Sequence, residues 1–270
     1  MYMKIMDTKN YDINKGLIIE PIEPEDFILG AERSLDTKFG AEILQPDGNW
    51  IEFLPASEKQ APGYETSACV TFATLTAIET LANKKFLDKA NLSDRFVAKL
   101  SGTDPHAGND PKKVAQFIRD NWSVLEEEWA TADALSTDEF YADPRFGLTS
   151  VALARGAQYE FGYEWVTASK TPIKTALTKG TTCMSVPAWY KDENGEYYRP
   201  DGARDGHWTN VYAVKDNKYQ VEDTYPPHRK VMAEDFVPQI AMRYYLNKRA
   251  TSIEPNLFIR LIKALLGWLQ

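Results

Sequence analysis

At 270 residues, with a net charge of −8 and a pI near 5.1, the chain is long enough for one large domain or two small ones around a sizeable core. The acidic balance argues against a broad phosphate-binding surface, so nucleic acid is not expected as a partner. No N-terminal apolar run has signal-peptide length and no uninterrupted apolar stretch reaches about 18 residues, so neither signal-peptide export nor a spanning helix is expected. Two cysteines cannot build a disulfide framework, which points to a reducing compartment such as the cytoplasm.

Turn signals dominate the region from Met1 to about Pro55 (Pro21, Pro24, Gly30, Gly40, Pro46-Asp47-Gly48), and it reads as an extended leader that wraps a core formed later. From Cys69 to about Lys84, apolar Val70, Phe72, Ala73, Ala77, Ile78, Leu81 and Ala82 predict a central buried helix. Cys69 opens that helix just after a Pro62-Gly63-Tyr64 turn, where unpaired backbone N–H groups and the helix dipole favour a thiolate. Asp110 as N-cap with Pro111 at the first helical position predicts a second helix, and Ser136-Thr137-Asp138-Glu139-Phe140 a shorter one.

Beyond about residue 160 the period changes to that of strands, at Tyr163–Val166, Thr182–Val186, Thr209–Val214 and Tyr219–Glu222, with a tight turn at Asp216-Asn217-Lys218. Between the first two strands, Thr171 to Lys179 reads as a short helix closed by a C′ glycine, Gly180. Helices first and sheet afterwards is an α+β arrangement, with an active site expected between the two halves.

Nucleophilic catalysis by a cysteine needs a base within hydrogen-bond reach and a third group that orients the base. His207 stands just ahead of one strand and Asp223 at the end of the next, so a hairpin would bring them together. The other histidines, His106 and His228, lie in polar, proline-flanked segments and read as surface or cleft-rim residues. Cys183 sits beside Met184 and Val186 and reads as core. Two cysteines and three histidines without short ligand pairing predict no metal site, and no cofactor is expected.

Several segments, in order, resemble those of papain-like cysteine peptidases. Ser67 to Ala73 is similar to the nucleophile helix, Asn91-Leu92-Ser93 to the opening of the next helix, and His106 to Asp110 to the glycine-containing loop that lines the cleft. Ile173 to Gly180 resembles the stretch before the sheet, and Gly206-His207 and Val221 to Tyr225 the histidine and asparagine strands. His207 follows Cys69 by about 140 residues, within the roughly 130–150 typical of that family. The resemblance covers about residues 35–245. It implies an α+β fold in which a helical part (about 65–150) packs on an antiparallel sheet or barrel (about 160–245), the cleft between them. The catalytic domain would span 35–250, after a leader at 1–34 too short for the family's long inhibitory propeptide.

The resemblance also implies roles. Cys69 is the nucleophile, His207 the base, Asp223 the orienting residue where the family usually has asparagine, and Gln60 with the Cys69 N–H the oxyanion hole. Gln60 lies nine residues ahead of Cys69, further than the family's glutamine, and Tyr225 stands where a shielding tryptophan is expected. The implied activity is hydrolysis of a peptide or protein substrate through an acyl-enzyme, in a chain of the kind bacteriophages encode, cytoplasmic or virion-associated. A transglutaminase-like or peptidoglycan-amidase activity on the same triad stays open, as does a non-catalytic structural protein on the same scaffold.

Asn256 to Gln270 has polar or small residues in one narrow helical stripe and is apolar elsewhere, which predicts an amphipathic helix over 251–270. It is too short to cross a bilayer, so it packs on its own domain, docks a protein partner, or lies on a membrane surface through Trp268, Arg260 and Lys263.

Overall fold

The central helix predicted from Cys69 runs from Cys69 to Phe86 and is buried along most of its length, which explains why apolar and small residues surround its axis instead of forming one stripe. The structure is a computed structural model that describes residues 14–39, 42–133, 135–187 and 189–249. The predicted 251–270 helix and the first part of the leader lie outside the described residues.

In chain order the helices are α1 (Asp36–Phe39), α2 (Cys69–Phe86), α3 (Asp94–Leu100), α4 (Pro111–Asn121), α5 (Thr137–Phe140), α6 (Leu148–Gly156) and α7 (Lys170–Lys179). Their starts follow local chemistry. Ser93 accepts from the Phe96 N–H, Asp110 accepts from the Lys113 N–H ahead of Pro111, and Ser136 with Glu139 forms a capping box. Gly180 departs from expectation. It ends α7 in an extended conformation, not a left-handed one, and a glycine is needed because a Cβ would lie 2.6 Å from the Tyr244 carbonyl oxygen.

The strands are β1 (Tyr159–Val166), β2 (Thr182–Val186), β3 (Tyr190–Lys191), β4 (Tyr197–Tyr198), β5 (His207–Lys215), β6 (Lys218–Glu222), β7 (Arg229–Val231) and β8 (Ala241–Lys248). Six of them form an antiparallel sheet in the order β1-β8-β2-β5-β6-β7, and β3 pairs with β4. The turn between β5 and β6 is Asp216-Asn217, both at positive φ, as a two-residue hairpin requires. His207 is the first residue of β5 and does not merely precede it. The predicted α+β architecture is the observed one: α2 packs on β5, β2 and β8 with one side and on α3 and α4 with the other. Among the described residues no helix is long and apolar enough to cross a membrane.

Where α2 meets α3, burial has an electrostatic consequence. Glu79 and Asp94 are buried beside Glu58 and Glu126, and the Asp94 Oδ1 has no hydrogen-bond partner. Burial, then the Glu58 charge, pushes the Glu79 and Asp94 carboxyls well above the ordinary range, and burial lifts Glu126 from 4.5 to about 7. The folded state therefore holds protons that the unfolded chain releases, so stability present at acidic pH is lost as pH rises through neutrality. Urea unfolding is expected to give a ΔG more than about 1 kcal/mol lower at pH 8 than at pH 5. Glu126→Gln should flatten part of that slope, and a flat wild-type profile would contradict the reading.

Candidate active site

Helix α2 starts without a side-chain cap, so its first-turn N–H groups are free to face Cys69. The residue before the cap, Ser67, has a left-handed φ of 53°, held by its N–H donating to Glu65 Oε1 at 2.9 Å and its hydroxyl donating to the Pro105 carbonyl at 2.8 Å. Cys69 is fully buried. Burial raises its thiol far above the ordinary value. Backbone hydrogen bonds from Trp208 and Val70 oppose that rise, while the Glu65 and Asp223 charges add to it. The expectation of a favoured thiolate is thus corrected for this covered state: desolvation outweighs the helix start.

His207 enters from the sheet half. It is fully buried, and its Nε2 lies 2.6 Å from Asp223 Oδ1. The other ring nitrogen, Nδ1, is buried with no hydrogen-bond partner. Trp189 and Tyr225 pack edge-on against the ring, at centroid distances of 5.5 and 5.4 Å. Asp223 continues directly from β6, and its other carboxylate oxygen takes a hydrogen bond from the buried Lys230 ammonium of β7. Burial alone would raise the Asp223 carboxyl, but His207 and Lys230 more than offset it, and it lies below the ordinary carboxylate range.

Gln60 is also fully buried. Its Oε1 accepts from the Thr224 hydroxyl at 3.1 Å, and its Nε2 donates to Glu65 Oε1 at 2.9 Å and to the Lys15 carbonyl at 2.7 Å. Glu65 is a hub that sequence reasoning missed: besides Gln60 and Ser67 it accepts from the Tyr225 hydroxyl, and it pairs with Lys15 at 3.8 Å.

Lys15 belongs to a strap across the cleft. Its N–H donates to the Gly206 carbonyl at 2.7 Å, the Asn109 N–H donates to the Gly16 carbonyl at 2.9 Å, and the Ile18 N–H donates to the Asn109 carbonyl at 2.9 Å. The strap thereby bridges the helical half, at Asn109, and the sheet half, at Gly206. Two glycines permit the crossing. A Cβ on Gly16 (φ +110°) would lie 2.0 Å from the Ser67 carbonyl oxygen, and one on Gly108 (φ +92°) 2.0 Å from that of Gly16. Beside the strap, Leu17, Ile19, Asp205 and Ile240 line a cavity of about 680 Å³.

The sequence-predicted residues are linked where α2 meets the sheet: Cys69 feels the Asp223 charge and the Trp208 N–H, His207 is bonded to Asp223, and Gln60 is bonded to Thr224, the residue after Asp223. His106 is exposed, His228 is half-buried with its Nδ1 on the Asp223 carbonyl, and Cys183 is core, its thiol donating to the Ala73 carbonyl at 3.3 Å. Lys230 and Trp189 were missed. The signal available for Lys230 was indirect: a buried aspartate behind the histidine calls for a cation. Among the described residues no group of three or more His, Cys, Asp or Glu could hold a metal ion.

No protein-family model and no curated protein matches the sequence. Solved structures do. Xylellain, a cysteine protease from Xylella fastidiosa, superposes with a TM-score of 0.62 at 15% identity, over 89% of this chain and 99% of its own. The bromelain protease from Ananas comosus, in complex with the E64 inhibitor, gives 0.55 at 16% identity, over 74% and 98%. Digestive procathepsin L 3 of the Tenebrio molitor larval midgut gives 0.54 at 10% identity, over 76% and 71%. The chain has the fold of papain-like cysteine proteases.

Proposed function

We propose that the chain is a cysteine peptidase working through a Cys69-His207-Asp223 triad. The observation that carries this reading is the His207 ring: Nε2 is committed to Asp223, and the buried Nδ1 has no hydrogen-bond partner. A carboxylate on Nε2–H fixes the tautomer that leaves the Nδ1 lone pair free for the thiol proton. Cys69 Sγ then attacks the scissile carbonyl, and the oxyanion is held by Gln60 Nε2 and the Cys69 N–H. His207 passes the proton to the leaving amine, giving an acyl-enzyme that water hydrolyses with His207 as base. Peptide or protein is the substrate, and the strap must leave the cleft to admit it.

Incubation with a peptidyl electrophile is expected to give one adduct, on Cys69, and Cys69→Ala should abolish both adduct and peptide cleavage. Specific labelling that survives Cys69→Ala would sink the assignment. One observation favours a second reading, a scaffold without turnover: Cys69 is fully buried, and the strap passes against Ser67, two residues before it. That reading wins if a variant with the strap displaced still neither labels nor cleaves.

A further inference from the structure

Behind His207 the structure carries an ion pair in place of a neutral side chain. His207 is on β5, Asp223 continues β6, and Lys230 is on β7, three neighbouring strands, with Val221 of β6 opposite Lys230. The Lys230 side chain is completely buried, its ammonium donating to Asp223 Oδ2 and to the Tyr225 carbonyl. Trp189 lies over the same ammonium, at 4.4 Å from ring centroid to Nζ, with Tyr197 at 5.7 Å. Trp189 therefore packs on both His207 and Lys230 and closes the pair from water. The remaining charges that act on Lys230 are Glu222, itself 3.5 Å from Arg229, and Lys191.

A buried carboxylate one hydrogen bond from an imidazole places a full negative charge where little solvent screens it. Alone, that charge would hold the proton on Cys69 to higher pH. Lys230 cancels it while leaving Asp223 free to accept from Nε2–H. We propose that Lys230 is a positioning residue of the catalytic site: it pins Asp223 and neutralises its charge, so that a Cys-His-Asp site operates with no net charge behind its imidazole. This inference rests on the triad reading above. It separates orientation, which Asp223 supplies, from charge, which the Asp223–Lys230 pair sets to zero.

Charge arithmetic gives the test. The net charge behind His207 is zero in the wild type, negative in Lys230→Met, positive in Asp223→Asn and zero again in the double variant. The pH profile of iodoacetamide alkylation, followed at the Cys69 peptide by mass spectrometry, should move about one pH unit alkaline in Lys230→Met and about one unit acidic in Asp223→Asn. Adding Lys230→Met to Asp223→Asn should bring it back to the wild-type position. A packing role alone predicts no opposed shifts and no restoration. Should Lys230→Met fail to fold, Asp223→Asn against the double variant, which buries no uncompensated charge, still decides. Profiles that ignore residue 230 in both backgrounds overturn the inference. Peptide cleavage assayed in parallel keeps the two readings apart: opposed shifts without cleavage by the wild type would sink the peptidase and spare the charge pair, whereas cleavage with an indifferent profile would do the reverse.

Discussion

Gln60→Ala is expected to lower kcat for peptide hydrolysis about 10²–10³-fold, with KM little changed, because the amide would act only on charge that develops in the transition state. Three contacts fix its direction. Thr224 donates to Oε1, Glu65 accepts from one Nε2–H, and the Thr66 hydroxyl anchors the Gln60 carbonyl at 2.9 Å. The second Nε2–H points into the cleft, where the Lys15 carbonyl takes it at 2.7 Å. A donor already oriented needs no reorganisation when an oxyanion forms, and its loss leaves the Cys69 N–H alone. Steady-state kinetics on a fluorogenic peptide measure the effect. A Gln60→Ala enzyme within threefold of wild type would remove Gln60 from the oxyanion hole, and a rise in KM alone would reduce it to a binding residue.

Gly16→Val should raise Cys69 reactivity by one to two orders of magnitude at neutral pH. The new Cβ would stand 2.0 Å from the Ser67 carbonyl oxygen, on a backbone at φ +110° that a β-branched residue does not adopt, so the strap must lift. Lifting it exposes a thiol whose largest perturbation is burial. The sign follows: desolvation disfavours the thiolate, water restores it, the thiol pKa falls, and alkylation extends to lower pH. Iodoacetamide rates between pH 6 and 9 report it. Unchanged rates would mean that the strap does not control access to Cys69.

The catalytic candidates were legible because their residue types are scarce and their spacing is set by backbone geometry. With two cysteines and three histidines in the chain, few pairings exist, and a hairpin closed by Asp216-Asn217 brings His207 and Asp223 together. Caps with their own chemistry, Asp110-Pro111 and Ser136 with Glu139, were equally readable. Strand β8 was not, since Arg243 interrupts its apolar run and only the fold supplies the Glu164 and Asp36 carboxylates that permit a buried guanidinium. The strap, Glu65 and Lys230 escaped for the same reason: each acts through partners distant in sequence. The thiol expectation failed because a helix start is a local property and desolvation a tertiary one.

Cys183 gives the molecule an internal reference. It lies in the middle of the sheet, buried as fully as Cys69 but far from any edge that opens without the sheet itself parting. A reagent that modifies Cys69 while sparing Cys183 reports a local excursion of residues 14–18, whereas modification of both at one rate reports global unfolding. The two thiols of a single chain thus act as a pair of clocks, one timing the opening of the cleft and the other the survival of the fold.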